Sequence, residues 1–234
     1  MFQDKSRSAN HLLSSLPEAE YQRLEPYLTS VNVSVRTVFY EAAEQIKTVY
    51  FPQTALISLV STLKNGATCE IGLIGSTGMV GLPVCLGSGY SQNRAIVQVP
   101  GGAIKISAQI LKQEFDRDGE LQKLLLRYTE TRLNEIAQLA VCNAHHKIEQ
   151  RLARWLLMVQ DLIQSDEIPL TQEFLGDMLG VQRSGVTLAA GILQQAGLIS
   201  YSRGKIKIKS RPDLEKVACE CYQLFYENFR RQSA

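Results

Sequence analysis

The chain has 234 residues, of which 45% are hydrophobic and 21% are charged, and its formal net charge is +2. This composition is ordinary for a globular protein of one large or two smaller domains, and the net charge is too small to indicate any partner. No apolar run approaches the ~18 residues that span a bilayer, and the N-terminus lacks the apolar core of a signal peptide, so we expect a cytoplasmic protein without membrane contact.

The first part of the chain predicts one helix followed by many short strands. Ser15 and Glu18 flank Pro17 in the manner of a capped helix start, and the helix should run to about Tyr27. Residues 31–107 then contain short β-branched runs between turns, including VNVSVRTVFY, ATCEIGLIG and RAIVQVP. Asn65-Gly66 lies between two such runs and favours a hairpin. We therefore predict an antiparallel sandwich or barrel.

A long helix follows the strands. The spacing of the apolar residues changes near Ser107, where SAQILKQEF predicts a short helix. A stretch without Gly or Pro then runs from about Gly119 to Ala144. A helix of this length is either buried inside the protomer or forms a dimer seam. We favour the seam because its other faces carry enough charge to be solvated. The apolar positions assigned to the seam are Leu121, Leu125, Tyr128, Ile136 and Leu139.

The C-terminal part predicts a compact helical unit. IEQRLARWLLMVQDLI has one apolar stripe and predicts a helix after a boundary near residues 143–147. We therefore divide the chain into an N-terminal domain (1–118), a central dimerisation helix (119–144) and a C-terminal domain (145–234).

Residues 171–208 have the pattern of a winged helix-turn-helix. Thr171 can cap a first helix, Gly180 supplies the turn, and Gln182 or Arg183 opens a second helix that Gly197 ends. The runs LISY and KIKI then predict a hairpin, which forms the wing.

The charge of this segment points to a polyanion. Residues 182–211 contain six Lys or Arg residues and no Asp or Glu, which suits either a solvated basic hairpin or a surface for DNA. In a helix-turn-helix the second helix enters the major groove, where Arg183 could pair with a guanine edge. The residues predicted to contact double-stranded DNA are Thr171, Gln172, Gln182, Arg183, Ser184, Thr187, Leu188, Arg203 and Lys205. The alternatives are a helix-turn-helix used only for packing, or a ligand-binding or protein-interaction module.

With these motifs in place, the chain resembles the Crp/Fnr family of bacterial transcription regulators. The resemblance is most specific in LTQEFLGDMLGVQRSGVTLAAGILQQAGLISYSRGKIKI, and it extends to QRLARWLL and to GMVGLPVCLGSGYSQNRAIVQV. It implies an α+β fold: an antiparallel β-roll of the cyclic-nucleotide-binding type, a long dimerisation helix and a C-terminal winged helix-turn-helix. It also implies a homodimer on near-palindromic sites, with RNA polymerase as a partner and a small-molecule effector in the roll.

The effector pocket implied by the resemblance departs from the family pattern. Leu82 and Pro83 follow Gly81 where the family has an acid, and the family's arginine is displaced by one residue to Arg94. The pocket positions carried over are Gly81, Leu82, Pro83, Asn93, Arg94, Ala95 and Ile136. We expect no cyclic AMP binding in the usual mode, so another metabolite, an apolar ligand or no ligand remain open. A cyclic-nucleotide-responsive regulator is the alternative.

The sequence predicts neither a metal site nor an enzyme. The five cysteines are scattered, which favours reduced thiols, and none precedes Cys69, where an iron–sulfur sensor would need several. Cys219 and Cys221 diverge if they lie on one helix, as do His145 and His146. The chain has no phosphate-binding loop, nucleophile elbow or HExxH motif, and no cofactor is predicted.

Overall fold

The computed structural model describes residues 8–170, 172–202 and 204–233, without the side chains of residues 172, 173, 232 and 233. The chain forms two compact units. One contains residues up to Leu59 together with Leu73–Arg132, and the other contains Val60–Gly72 with Leu133–Arg231. None of the helices in the described part of the chain combines the length and the apolar character needed to cross a bilayer.

Two antiparallel sheets form the predicted β-region. One has the strand order β1-β7-β3 and the other β2-β6-β4-β5. The strands are β1 (Thr29–Val33), β2 (Val38–Tyr40), β3 (Thr48–Pro52), β4 (Leu56–Thr62), β5 (Thr68–Ile74), β6 (Arg94–Val99) and β7 (Gly101–Ser107). The run VNVSVRTVFY is therefore two strands, because Arg36 takes a positive φ of 65° between them.

Both sheets of the first unit contribute to one core. Alternate residues of β6, Ala95 and Val97, are fully buried, as the period of a strand requires. Phe39 of β2 stacks on Tyr50 of β3, with ring centroids 3.8 Å apart. The predicted Asn65-Gly66 turn is present, and Gly66 has a φ of 84° that an L-residue rarely adopts.

Helices lie before and after the strands of this unit. They are α1 (His11–Ser14), α2 (Glu18–Leu24), a 3-10 helix at Glu25–Tyr27, α3 (Pro83–Leu86) and α4 (Ala108–Phe115). The predicted N-terminal helix exists, but Ser15 does not cap it, because the Ser15 hydroxyl donates to the Leu12 carbonyl at 3.0 Å.

The long helix α5 runs over Glu120–His145, as predicted. It begins at Glu120 because the Glu20 carboxylate of α2 accepts hydrogen bonds from the backbone N–H groups of Glu120 (2.9 Å) and Leu121 (2.7 Å). These are two of the donors that a helix start leaves without a partner inside the helix.

The seam assigned to α5 is wrong for three residues. Leu121, Leu125 and Tyr128 are buried in the core of their own protomer. The Tyr128 hydroxyl accepts a hydrogen bond from the backbone N–H of Met79 at 3.3 Å. An apolar stripe shows that a helix face is covered, and here the cover is the β-region of the same chain.

The second unit contains five further helices beyond the end of α5, together with a small sheet. The helices are α6 (Ile148–Ile163), α7 (Gln172–Leu179), α8 (Arg183–Gln195), α9 (Arg211–Val217) and α10 (Cys221–Ser233). The strands β8 (Glu167–Pro169), β9 (Ile199–Ser202) and β10 (Lys205–Ile208) form a sheet with the order β8-β10-β9. The predicted helices and wing are present, and β8 adds a third strand that the sequence did not predict.

Candidate nucleic-acid interface

The helices α7 and α8 form a helix-turn-helix around Gly180. This glycine has a φ of 63°, and the backbone N–H of Val181 bonds to the Gly176 carbonyl at 3.0 Å. The apolar faces of both helices are buried. Their buried residues are Leu175, Met178 and Leu179 on α7 and Val186, Ala189, Ala190 and Leu193 on α8.

The helix α6 holds this motif in place through two buried polar side chains. The Arg151 guanidinium donates to the carbonyl of Leu179, which is one of the carbonyls that the end of α7 leaves open. The Trp155 indole N–H donates to a Glu70 carboxylate oxygen at 2.9 Å, and all three side chains are at least nine-tenths buried. Groups buried in this way cost free energy when they lose their partners, so Arg151 fixes the end of α7 and Trp155 fixes β5 against α6.

The β4–β5 hairpin also contacts the helix-turn-helix. Glu70 lies on β5, and the hydroxyl of Thr68 on the same strand donates to an Asp177 carboxylate oxygen of α7 at 3.0 Å. A Cβ at Gly180 would lie 3.0 Å from the sulfur of Cys69. The turn between α7 and α8 therefore packs closely on this hairpin.

The side of α8 opposite the core is exposed and carries hydrogen-bond donors. Gln182 is the N-cap residue, and the helix begins at Arg183. The predicted contact residues of α8 are all exposed on one surface, which we call the reading face: Gln182, Arg183, Ser184, Thr187 and Leu188. Arg183 offers the planar set of donors that fits a guanine edge, and Ser184 can bond to bases or phosphates. The Thr187 hydroxyl donates to the Arg183 carbonyl at 2.9 Å, and its oxygen can still accept from a base.

Some of the Lys and Arg side chains of residues 182–211 already form ion pairs within the protein. Lys205 is exposed on β10, and within the described part of the chain it forms no ion pair. Two other cations of the run are paired: Lys207 Nζ lies 3.4 Å from Glu167, and Arg211 Nη1 lies 2.8 Å from Asp161. The predicted basic surface is thus partly neutralised by acids that lie outside residues 182–211.

Three of the predicted DNA-contact residues are wholly or partly outside the residues that the structure describes. Thr171 and Arg203 are outside the described residues. Gln172 begins α7, but its side chain is also outside them. Their roles in DNA binding stay predictions.

The residues carried over to the effector pocket lie in several elements, and their role as a pocket stays a prediction. Pro83 starts α3 after Leu82, and Ala95 is fully buried in β6. Arg94 lies 3.3 Å from a Glu41 carboxylate oxygen, so its charge already has a partner. Gly81 packs against Val49, the Asn93 N–H bonds to the Ser91 hydroxyl at 3.1 Å, and Ile136 is two-fifths exposed in the other unit.

A cluster of cysteines and one histidine lies at the end of α5 and was missed from the sequence. The sulfurs of Cys142 and Cys219 are 3.5 Å apart, and the sulfur of Cys221 is 3.6 Å from His146 Nδ1. The hydrogen bond with Cys219 is the main reason that the pKa of the Cys142 thiol is lowered to about 5. The expectation that Cys219 and Cys221 diverge is wrong, because Cys219 precedes α10 and only Cys221 belongs to it.

One spacing in the sequence could have indicated this cluster. Cys142 and His146 are four residues apart, a spacing that places both side chains on one helix face. His145 lies next to His146 but is not part of the cluster. The five cysteines are free thiols in this structure.

The comparisons with known proteins agree with this geometry. Residues 150–217 match the family model of the Crp-like helix-turn-helix domain. No curated protein matches the chain in sequence. A transcriptional regulator of the Crp/Fnr family from Eubacterium rectale is 18% identical, with a TM-score of 0.70 over 88% of this chain and 96% of its own.

Two further solved structures give the same picture. FixK2 from Bradyrhizobium japonicum is 17% identical, with a TM-score of 0.70 over 82% of this chain and 98% of its own. The c-di-GMP responsive regulator CLP from Xanthomonas campestris is 14% identical, with a TM-score of 0.69 over 83% of this chain and 100% of its own.

The fold and the arrangement of α7, α8 and the wing together define a winged helix-turn-helix. Residues 150–217 are a Crp-like helix-turn-helix domain, and the chain has the α+β fold of Crp/Fnr transcription regulators. The resemblance noted in the sequence is confirmed.

Proposed function

We propose that the protein is a sequence-specific transcription regulator that binds near-palindromic DNA as a homodimer. The observation that carries this proposal is the reading face, where the N-terminal turn of α8 exposes Gln182, Arg183 and Ser184. Phosphate contacts position such a protein, and donors directed at base edges give it sequence preference. A regulator of this kind works beside the chromosome, which agrees with the predicted cytoplasmic location.

The side chains of α8 and of the wing would contribute differently to DNA binding. Arg183 would bond to the O6 and N7 acceptors of a guanine in the major groove. The exposed Leu188 would contact a thymine methyl group. Lys205 would neutralise a backbone phosphate from the wing and would add affinity without preference for a sequence.

The homodimer is supported by apolar side chains that α5 leaves exposed. Leu126, Leu133 and Ile136 are 48%, 63% and 39% exposed. Their spacing of seven and three residues is that of a coiled-coil seam. Ile136 also belongs to the seam predicted from the sequence. Leu126 and Leu133 take the place of the predicted residues that are buried, which are Leu121, Leu125 and Tyr128. A two-fold dimer would present two copies of α8 to successive major grooves, about 34 Å apart.

The effector stays an open part of the proposal. The solved structure from Xanthomonas campestris is that of a c-di-GMP responsive regulator, which supports an effector of some kind for this fold. In this chain the acid of the usual cyclic AMP motif is absent, and Arg94 is paired with Glu41. We therefore propose an effector other than cyclic AMP in its usual mode, and RNA polymerase as the further partner at the promoter.

Selection from random DNA tests the proposal directly. The purified chain would be incubated, at physiological salt, with duplexes that carry a random centre of about 30 base pairs. Bound sequences should contain two inverted half-sites about 10 base pairs apart. Recovery of the input distribution after several rounds would contradict sequence-specific binding.

The second candidate function is a protein-interaction module. It is favoured by Leu188 and Ile192, which are 68% and 43% exposed on the outer side of α8. Exposed apolar side chains on one helix can also mark a protein contact. Electrophoretic mobility with long duplex DNA separates the two functions, because a module of this kind would not shift DNA at physiological salt.

A further inference from the structure

Four side chains with metal-binding atoms converge in the second unit, outside the reading face. Cys142 lies in the last turn of α5, and His146 directly follows the last residue of that helix. Cys219 lies between α9 and α10, and Cys221 is the first residue of α10. One ligand atom from each residue lies within 4.8 Å of all the others.

We propose that Cys142, His146, Cys219 and Cys221 form a Cys3His site for one Zn²⁺ ion. Zinc binds thiolates at ~2.3 Å and imidazole at ~2.0–2.1 Å in a tetrahedron. This geometry places two sulfurs about 3.8 Å apart and a sulfur and a nitrogen about 3.6 Å apart. The sulfurs of Cys142 and Cys219 are 3.5 Å apart, and the sulfur of Cys221 is 3.6 Å from His146 Nδ1, so both pairs are close to these separations. The group as a whole needs to contract by about an ångström or less to hold one ion.

The surroundings of His146 match a zinc ligand. Nδ1 faces the sulfur of Cys221, and Nε2 lies 3.1 Å from a carboxylate oxygen of Glu220. A histidine that binds zinc through one nitrogen commonly donates its other N–H to a carboxylate, which fixes the ring and its tautomer. Glu220 lies between the two cysteines in sequence and acts as a positioning residue.

The surroundings of the sulfurs also suit a metal thiolate. The Gln138 amide donates to the sulfur of Cys221 at 3.0 Å. Phe225 is buried together with the three cysteines, and Leu139 and Met158 pack against them. Such a shell excludes water and protects thiolates from exchange.

The buried Arg154 can balance the charge of the site when zinc is bound. Each of the three thiols releases its proton when Zn²⁺ binds, so the site carries one net negative charge. Arg154 is nine-tenths or more buried, and its guanidinium stacks over the Phe225 ring at 5.3 Å. Its positive charge is close enough to act on the thiols of both Cys142 and Cys219.

A metal ion can reach the site from solvent. Cys219 and Glu220 line an open cleft together with side chains of α9 and α10. Once bound, the ion would link the end of α5 to the chain that follows the wing. Cys142 and His146 precede residues 150–217, and Cys219 and Cys221 follow them, so the link closes around the Crp-like domain. The inferred role is to fasten this domain to the end of the central helix.

Metal content and cobalt substitution test this site without any use of DNA. The full chain, purified under reducing conditions, should contain one zinc per protomer by mass spectrometry. After chelation, one equivalent of Co²⁺ should restore the visible absorption of a tetrahedral site and the near-ultraviolet bands of sulfur–cobalt bonds. Zn²⁺ at about 100 times its dissociation constant should then raise the Tm of the apoprotein by roughly 5–10 °C.

Matched cysteine variants locate the ion. Cys142→Ala, Cys219→Ala and Cys221→Ala should each lose the sulfur–cobalt bands and the Tm increase. Cys85→Ala should keep both, because Cys85 is a buried free thiol in the other unit. Circular dichroism of each variant would show that its fold is retained.

A substitution outside the ligands separates an effect on metal binding from an effect on folding. Glu220→Gln should keep one Zn²⁺ per protomer but weaken its affinity by about 10–100-fold. Glu227→Gln on α10 should leave the affinity unchanged. Three outcomes would each overturn the proposal: a metal-free native protein that Co²⁺ does not bind, iron accompanied by inorganic sulfide, or a disulfide between Cys142 and Cys219 in place of a metal.

Discussion

Arg183 is the residue on which sequence recognition depends most. It begins α8 and is exposed, so its replacement leaves the buried side of the helix unchanged. Arg183→Ala should weaken binding to the selected site by roughly 1–3 kcal/mol and remove the preference at one base pair of each half-site. Titrations of the selected duplex and of its single-base variants at fixed salt would measure both effects.

A control for Arg183 lies on the same helix. Gln195 is exposed at the far end of α8, and Gln195→Ala should leave both affinity and preference unchanged. If Arg183→Ala kept the full preference at every base pair, another side chain would be the one in the groove.

Asp161 supports the second unit in a different way. Its carboxylate accepts from Arg211 Nη1 at 2.8 Å and from the Tyr222 hydroxyl at 2.7 Å, and so joins α6 to α9 and α10. Burial, followed by this bond to Asp161, raises the pKa of Tyr222. Asp161→Ala leaves both donors without this acceptor, and we expect it to destabilise the protein by roughly 2 kcal/mol, a decrease of about 4–8 °C in Tm.

An exposed ion pair provides the comparison for Asp161. Lys216 pairs with Asp213 at 2.7 Å, but its side chain is 76% exposed. Because solvent screens such a pair, Lys216→Ala should leave the Tm nearly unchanged. Equal losses from Asp161→Ala and Lys216→Ala in a thermal melt would show that burial of the Asp161 group does not matter.

At the level of elements, the wing should contribute affinity without sequence preference. Lys205 and Lys207 both lie on the exposed face of β10. Among the residues that the structure describes, Lys207 pairs with Glu167 and Lys205 has no ion pair. Lys205→Ala should therefore weaken binding to all duplexes alike and reduce the slope of log K against log salt by about 1. Lys207→Ala should reduce this slope less.

The salt titration separates the two lysines from Arg183. It would be run on the selected duplex and on a scrambled duplex, for both variants and the wild type. A loss of affinity confined to the selected duplex would mean that Lys205 contacts a base edge and not a phosphate.

The elements themselves were predictable where the determining interactions are local. Asn65-Gly66 specifies a hairpin, and Gly180 specifies the turn between α7 and α8, because each position needs a backbone conformation that few residues adopt. The exposure of Arg183 and Ser184 followed from the apolar period of α8 alone. The helix-turn-helix and its reading face could therefore be derived from the sequence.

Features that depend on distant parts of the chain were not predictable in this way. Cys142 and Cys219 are 77 positions apart, and only the fold brings their sulfurs together. The acid that pairs with Lys207 likewise comes from β8, a strand that had not been predicted. For Leu125, the apolar period shows that the side chain is covered, but it cannot distinguish a partner subunit from the β-region of the same protomer.

At the scale of the whole molecule, the proposal requires two protomers to read one duplex. The exposed side chain of Leu133 lies at the middle of the inferred seam and outside the protomer core. Leu133→Glu should convert the dimer to a monomer, because it would place two like charges together and remove apolar contact. Light scattering after size-exclusion chromatography would give the mass of each form.

The loss of the dimer should also separate half-site binding from full-site binding. Leu133→Glu should bind a single half-site with the wild-type protomer's affinity but lose the gain that a second, linked half-site provides. Val35→Glu introduces the same charge at another apolar residue, 54% exposed between β1 and β2, and should stay dimeric. A dimeric Leu133→Glu protein with full affinity for the selected duplex would show that α5 does not join the protomers.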